Sequence, residues 1–273
     1  MVHPEGTKRL PTRLHSPSGI RGVVQLSLRT EPLSTATKHR HQAPSPSTLG
    51  LHLIYAWLGI GIQPACVPIT VDEAQEMYTQ DWRHSSSTEN IKYGKLDAAG
   101  VEEQGRGLIQ VAWDNIDPQE RVIEVGEVFC VPVVHEGKFL SKPIVGEFDL
   151  VVEKQGSPLV IDWKTSATRW AKTKADKSLQ ATAYSYAYWQ KHGFNPQVRF
   201  DVAVKNKTPV FESHCTTRDK DSWKLLGSLV AKAETLQQQE LYYPSLECFA
   251  CSDCPFKTAC GEWCRGELST KAA

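Results

Sequence analysis

The sequence lacks any run of 18 apolar residues, and this absence excludes a transmembrane helix, which needs about 20 such residues. It also lacks an N-terminal basic segment followed by an apolar stretch, so we expect no secretory signal peptide. Neither sign of charge is in excess, because 31 Lys and Arg balance 31 Asp and Glu. Net charge therefore does not indicate a nucleic-acid partner. These absences predict a cytoplasmic protein that does not bind a membrane.

The composition is that of an ordinary soluble protein, with 40% hydrophobic and 23% charged residues among 273. This length suits one large domain with an appendage. Residues 1–47 are rich in Pro, Ser, Thr, Arg and His, and we expect them to form a poorly ordered or divergent segment. We expect the domain core at residues 48–240 and a cysteine-rich tail at residues 241–273.

A β-hairpin is predicted near the middle of the chain. Residues 144–153 and 159–165 are β-rich runs, and the break at residues 154–158 contains Gly and Pro. If the turn is centred on residues 155–156, the numbers of facing residues sum to 311. The two runs then form neighbouring antiparallel strands.

Two acids and a lysine gather on one face of this hairpin. The register places Asp149 opposite Asp162 and Glu147 opposite Lys164, and side chains two apart on a strand share a face. Apolar residues between them, such as Phe148, are predicted on the other face. Two close carboxylates favour a Mg²⁺ or Mn²⁺ site, with the lysine acting on a bound water. The alternative is a solvated hairpin with a Glu147–Lys164 pair.

These motifs resemble the PD-(D/E)xK nuclease superfamily. The pattern is Gly-x-x-Asp ending at Asp149, a short hairpin, and Asp-x-Lys at residues 162–164. The Gln-x-x-x-Tyr at residues 180–184 looks like the motif of the RecB-like exonuclease branch. The resemblance covers about residues 48–264. It implies an α/β fold in which helices flank a mixed central β-sheet, a restriction-endonuclease-like core.

The resemblance also implies site residues for a metal-dependent deoxyribonuclease. Asp149, Asp162 and the backbone carbonyl of Trp163 would hold Mg²⁺ or Mn²⁺, and Lys164 would activate the water. His52 is a further candidate ligand, although the family's Gly-x-x-x-His spacing is not kept, and an ordinary, partly buried histidine is the alternative.

Further candidates lie on the flanking elements. Glu127 matches a recurring glutamate of the family and is expected to support the site, unless it is an edge residue. Gln180 and Tyr184 lie four apart on a predicted helix and would hold substrate phosphates or fix the lysine. Residues 164–177 carry five basic residues and one acid, and Arg169 and Lys172 in this stripe are predicted to bind substrate. A solvated loop is the alternative.

Five of the eight cysteines fall between residues 248 and 264. Their spacing favours a metal site over disulfides, and the tail is similar to that of the CRISPR-adaptation nucleases. Zn²⁺ and a 4Fe–4S cluster both stay open, and so does a set of empty thiols. Cys264 or Cys66 could replace one ligand. The expected ligands are Cys248, Cys251, Cys254 and Cys260.

The function that these features favour is a DNA exonuclease acting on ends or single strands in bacterial or phage recombination and repair, with a helicase or another recombination protein as its partner. The alternatives are a nuclease that trims DNA for an integrase partner and a non-catalytic module that binds DNA or a helicase.

The remaining elements are expected to build the core. Helices are expected at 71–82, 98–113, 178–192 and 221–238, a strand at 121–134, and a second hairpin at 197–205 and 209–214. The last helix is expected to bury Leu225, Leu226, Leu229 and Val230.

Overall fold

The computed structural model describes residues 69–88, 91, 93, 95–239, 241, 254 and 256–266. Three of the candidate site residues, His52, Cys248 and Cys251, lie outside the described residues. Among the described helices, none combines the length and apolar character that crossing a membrane requires.

A five-stranded sheet in the order β1-β4-β5-β6-β7 forms the centre of the protein. Neighbouring strands run antiparallel except β5 and β6, which are parallel. The sheet is therefore mixed, as the sequence predicts. A separate two-stranded sheet joins β2 and β3. The strands are β1 (Arg121–Val131), β2 (Val134–His135), β3 (Lys138–Phe139), β4 (Ile144–Lys154), β5 (Ser157–Ser166), β6 (Gln197–Val204) and β7 (Val210–Thr216).

Helices cover both faces of the central sheet. On one face, Leu150 and Ile161 pack with Tyr78 and Ile109 of the first two helices. On the other face, residues such as Val160 pack with the third and fourth helices. The fold is thus a mixed α/β sheet flanked by helices, as expected for a restriction-endonuclease-like core. The helices are α1 (Val71–Thr88), α2 (Ala98–Trp113), α3 (Leu179–His192), α4 (Lys220–Gln238) and α5 (Lys257–Cys264).

The turn between β4 and β5 sets the register that the sequence predicts. Gln155 and Gly156 both have positive φ angles, of 52° and 75°, and such two-residue turns match the right-handed twist of the flanking strands. The backbone pairs run from Lys154↔Ser157 to Leu150↔Ile161. Each pair sums to 311, so the predicted register is confirmed over this part of the hairpin.

Helix α3 begins and ends where its capping residues predict. The Ser178 hydroxyl accepts a hydrogen bond from the backbone N–H of Ala181, and Gly193 closes the helix in the left-handed conformation, with φ of 76°. Glycine adopts this conformation without the steric cost of a Cβ atom. The N-terminal end of the helix therefore has a fixed position, which matters for the polar residues in its first two turns.

The predicted buried side of α4 is partly wrong. Leu226 and Val230 are buried, but Leu225 and Leu229 are 60% and 41% exposed. The buried stripe instead runs from Trp223 through Leu226 and Val230, at spacings of three and four residues. Leu225 and Leu229 each come one residue before a buried residue and repeat its four-residue spacing. The apolar pattern alone therefore does not distinguish the exposed pair from the buried pair.

Substituting Gly227 by alanine is expected to destabilise the protein. A Cβ atom at this position of α4 would lie 2.5 Å from the backbone oxygen of Val134, and a backbone atom cannot turn away as a flexible side chain can. Overpacking of this kind costs about 1–3 kcal/mol, which exceeds the helix propensity that alanine gains. Urea unfolding measures the effect. Gly261→Ala in α5, whose nearest contact is the end of the Arg265 side chain, is the control, and an equally stable Gly227→Ala protein would contradict the prediction.

Candidate active site

The two central strands separate just where the acidic residues begin. Backbone pairing of β4 with β5 reaches Leu150↔Ile161, and beyond it the Asp149 carboxylate Oδ2 accepts the backbone N–H of Trp163 at 2.9 Å. The side chain of Asp149 thus takes the place of a backbone acceptor. It is 2% exposed. This arrangement places one carboxylate in the opening between the strands.

The alternation of side chains predicted for β4 does not hold next to this opening. Phe148 packs with Phe129 and Tyr184, on the side of α3, whereas Leu150 packs on the side of α1 and α2. The prediction that Phe148 lies opposite the acidic face is therefore wrong. The pairing of β1 with β4 keeps one register on both sides of this point, with Val125 opposite Leu150 and Glu127 opposite Phe148, whereas the backbone pairing of β4 with β5 has ended.

Asp162 is the fully buried carboxylate of the site. Its Oδ1 atom accepts hydrogen bonds from Gln180 Nε2 at 2.6 Å and from the Tyr184 hydroxyl at 2.9 Å. Its Oδ2 atom lies 2.5 Å from Lys164 Nζ. Among the described residues, that oxygen has no hydrogen-bond donor in normal geometry. One oxygen of Asp162 is thus held by α3, and the other faces only the lysine.

Burial makes the charged forms of both acids unfavourable. Desolvation raises the pKa of Asp149 to about 6, against the lowering effects of the Trp163 N–H and Lys164. Desolvation likewise raises the pKa of Asp162 to about 6, although the Lys164 ammonium lowers it. Each carboxylate also raises the pKa of its neighbours, because like charges repel. A buried acid pair of this kind favours a bound cation.

Gln180 and Tyr184 both donate hydrogen bonds to the Asp162 carboxylate. They lie one turn apart on α3, and the Gln180 amide also donates to the Tyr184 hydroxyl at 2.9 Å. Tyr184 is 1% exposed, with its ring 5.5 Å from that of Phe148. Burial raises the pKa of Tyr184 well above its ordinary value, so the hydroxyl stays a donor.

A family model described as the PD-(D/E)XK nuclease superfamily matches residues 53–261, which is more than half of the 273 residues. The chain belongs to the PD-(D/E)XK nuclease superfamily. No curated protein matches its sequence.

Two solved structures resemble this PD-(D/E)XK nuclease. One is a presumed exonuclease from Eubacterium rectale, at 12% identity and a TM-score of 0.43, with 83% of this chain and 76% of that chain covered. The other is a protein designated SSO0001, at 14% identity and a TM-score of 0.39, with 73% of this chain and 82% of that chain covered.

Glu127 does not lie with Asp149 and Asp162 in the candidate site. Its carboxylate pairs with Lys191 and lies 3.6 Å from His192 Nε2. Both partners are in the last turn of α3, about 16 Å along the helix axis from Gln180. Within the described residues, no group of three or more His, Cys, Asp and Glu side chains could hold a metal ion.

Glu147 is a site residue that sequence reasoning did not propose. Burial raises its pKa, and its charge is one of the causes that raise the pKa of Asp149. The sequence pattern places it opposite Lys164. Because the alternation of side chains does not hold at Phe148, its spacing from Asp149 is not a signal that could have identified it.

Two of the four predicted substrate-binding residues, Arg169 and Lys172, do not line the cavity beside Lys164. Arg169 Nη1 is 2.8 Å from Glu212 Oε1, and among the described residues the cavity lining includes neither Arg169 nor Lys172. Lys174 and Lys177, from the same basic stripe, do line it. Charge counting located the stripe but could not tell which of its side chains turn towards the site.

Of the expected cysteine ligands, Cys254 and Cys260 lie in the described part of the tail. Cys254 precedes α5, its carbonyl accepting the N–H of Lys257 at 3.2 Å, and Cys260 is inside that helix. The remaining two expected ligands are outside the described residues. The cysteine site therefore stays a prediction.

Removing the Tyr184 hydroxyl should lower catalysis more than it lowers stability. Tyr184→Phe keeps the ring in the core but removes one donor to Asp162, which would then have one fewer group holding its orientation. Hydrogen bonds to charged groups are worth about 1.5–3 kcal/mol, so we expect kcat to fall about 10- to 100-fold. Nuclease kinetics with a urea unfolding control measure both effects. Tyr188→Phe, on the same helix, is the matched control; an unchanged kcat for Tyr184→Phe would contradict the role.

Proposed function

We propose that the protein is a metal-dependent DNA exonuclease that hydrolyses phosphodiester bonds at DNA ends or in single strands, in recombination and repair. The observation that supports this most is the buried pair Asp149 and Asp162 with Lys164 against the second acid, in a member of a nuclease superfamily. Membership supports hydrolysis of nucleic acid. DNA as the substrate and the exonuclease mode are proposals.

The residues present fit a divalent cation. Asp162 Oδ2 is buried and, within the described part of the chain, faces only the Lys164 ammonium, while burial raises the pKa of both acids. Mg²⁺ commonly uses one or two protein carboxylates and completes its shell with water and substrate phosphate. Asp149, Asp162 and the backbone carbonyl of Trp163 would hold Mg²⁺ or Mn²⁺, with His52 as a further candidate. The cation would neutralise charge that develops on the phosphate oxygens.

The side chains of the site would divide the remaining work of hydrolysis. The Lys164 ammonium would donate a hydrogen bond to the attacking water and stabilise negative charge near the phosphorus. Gln180 and Tyr184 would fix the orientation of Asp162. Because the acids are buried, their surroundings have a lower dielectric constant than water, and this strengthens each of these interactions. Water would then attack the phosphorus atom and lose one proton to the solvent, while the bond to the leaving oxygen breaks and that oxygen takes up a proton.

An assay on end-labelled DNA tests the proposal. Single strands and duplexes would be incubated with Mg²⁺ or Mn²⁺, and we expect mononucleotides or short products released from an end. Internal cuts in circular single strands would contradict the exonuclease mode. Binding without cleavage under every metal condition would instead favour the non-catalytic module. A role in trimming DNA for an integrase shares this chemistry and would be separated by assays with that partner.

The cysteine tail is proposed as a second metal site. The spacing Cys248-x-x-Cys251-x-x-Cys254 offers three thiolates within seven residues, and Cys260 is the fourth expected ligand. Protein purified without air is expected to contain stoichiometric zinc, or iron with absorption in the visible range. Since such sites are linked to folding, chelation should lower stability by several kcal/mol. Folded, active protein with neither metal would contradict the proposal.

A further inference from the structure

A cavity next to the proposed active site is lined in part by residues that the hydrolysis mechanism does not use. It has a volume of about 580 Å³ and begins at Lys164 and Gln180. From there it extends along Trp170, Lys174 and Lys177. Pockets of roughly 300–1,000 Å³ hold drug-sized ligands, so the space is sufficient for one nucleotide. A strand whose phosphate lies at Lys164 would pass into this cavity.

The charge that faces the cavity is positive. Lys164, Lys174 and Lys177 contribute ammonium groups, and the described part of the lining contains no acid. Asp162 pairs with Lys164, so Lys174 and Lys177 carry the positive charge that is left for a ligand. The other nearby acids have partners outside the cavity: Asp176 Oδ1 accepts the Thr216 hydroxyl at 2.8 Å, and Glu212 pairs with Arg169. The cavity therefore suits an anion, and a phosphate of the substrate strand is the anion that the adjacent site supplies.

One wall of the cavity is a tryptophan ring held in place. The backbone N–H of Trp170 donates to Glu212 Oε2 at 3.1 Å, and the ring lies 5.4 Å from that of Phe200. Lys174 Nζ lies over the Trp170 ring, 4.0 Å from its centroid. A fixed aromatic surface therefore lies beside a cation, and proteins bind single-stranded nucleic acid with this pairing.

We propose that this cavity binds one unpaired nucleotide of a single-stranded DNA, adjacent to the phosphate that is cleaved. Lys174 and Lys177 bind its phosphate. When Lys174 turns to that phosphate, the ring face it covered becomes available to the base. A base inside a duplex is stacked on its neighbours and does not offer its face to a protein ring, so the substrate at this position is single-stranded. The inference rests on the proposed nuclease function and names its substrate.

Salt dependence of binding tests the phosphate contacts. Affinity for a labelled single-stranded oligonucleotide would be measured across NaCl concentrations with Ca²⁺ in place of Mg²⁺, after confirming that no cleavage occurs. Each lost phosphate contact reduces the slope of log K against log salt by about 0.7 for single strands. We expect Lys174→Ser/Lys177→Ser to reduce the slope of log K against log salt by about 0.7 or more. Binding at low salt should weaken about tenfold or more.

Lys220→Ser/Lys232→Ser is the matched control, because it removes the same charge from exposed positions on α4. Its slope is expected to stay close to that of the wild type. If the two double variants give the same slope and affinity, the cavity does not bind phosphate and the inference is overturned. The lysines tested are on the surface, so loss of folding does not obscure the result.

Abasic substitution tests the base contact. One abasic nucleotide would be moved along the oligonucleotide, and wild-type affinity is expected to fall about tenfold at a single position next to the cleavage point. Trp170→Phe should keep this sensitivity and Trp170→Leu should lose it, with circular dichroism as the check on folding. Equal sensitivity at every position, or equal affinity for a blunt duplex, overturns the single-strand assignment.

The two proposals fail in different ways. If the wild type does not cleave any DNA with Mg²⁺ or Mn²⁺, the nuclease proposal fails. The salt-dependence and abasic binding experiments still test whether the cavity binds a nucleotide. If the wild type cleaves and the Lys174→Ser/Lys177→Ser variant has an unchanged KM for single strands, only the cavity inference fails. A raised KM with kcat nearly constant is the expected result.

Discussion

Replacing Lys164 by methionine is expected to reduce DNA cleavage about 100- to 1,000-fold. The methionine side chain is similar in length but has no charge and no donor, so the group next to Asp162 Oδ2 can no longer bind water or stabilise developing charge. Removal of one group that acts on the transition state costs roughly 3–4 kcal/mol. Single-turnover kinetics with Mg²⁺ measure the chemical step directly.

DNA affinity should fall in this variant by no more than one phosphate contact, because Lys174 and Lys177 remain, and urea unfolding measures the stability lost when the buried Asp162 carboxylate loses its partner. Lys207→Met, at an exposed position between β6 and β7, is the control for loss of a positive charge. A Lys164→Met protein that cleaved at the wild-type rate would contradict the mechanism. Loss of cleavage together with loss of DNA binding would instead assign Lys164 to substrate affinity.

Metal-free protein should become more stable when Asp149 is replaced by asparagine. In EDTA at a pH of about 8 the wild type must keep a buried carboxylate charged, and the amide removes that cost while still accepting the Trp163 N–H. The difference between an unfolded pKa of 3.8 and a folded pKa of about 6 corresponds to about 3 kcal/mol, as an upper bound. Urea unfolding in EDTA measures the gain.

The pH dependence has a definite sign. Because the folded pKa of Asp149 is raised, folded protein keeps a proton between about pH 4 and 6 that unfolded protein has released. Unfolding then releases protons, so the stability of the wild type falls as the pH rises through this window. At a pH of about 4 the two proteins should differ little, and above about 6 the full difference should be present.

Mg²⁺ should reverse the order of stability. The cation stabilises folded wild type by binding to it, and Asp149→Asn should respond much less. Asp221→Asn, whose side chain is 82% exposed, is the control and should change stability by less than about 0.5 kcal/mol. If Asp149→Asn is less stable than the wild type at every pH in EDTA, burial does not dominate at this site.

Much of the fold could be predicted because local patterns specify it. The turn at Gln155 and Gly156 set the hairpin register, and Ser178 and Gly193 marked the ends of α3. Such signals are contained within a few residues. They placed the acids and the lysine near one another before any tertiary contact was considered.

What could not be predicted depends on long-range choices of partner. Glu127 is a strand residue with a suitable charge, but Lys191, 64 residues away, binds it. Arg169 is likewise drawn to Glu212. Phe148 packs against Phe129 of the neighbouring strand and Tyr184 of α3. None of these partners is indicated by the spacing around the residue itself.

The hydrogen bond from the Trp163 N–H to Asp149 has a consequence for reading related sequences. Asp149 accepts this backbone N–H whether or not the protein cuts DNA, so its structural role would persist in a descendant that had lost activity. Without this hydrogen bond the N–H would lose its acceptor. The Lys164 side chain pairs with another side chain, the Asp162 carboxylate, and not with the strand backbone. In a relative that has become a pure binder, the aspartate could therefore survive while the lysine drifts, and the lysine is the better marker of an enzyme that still works.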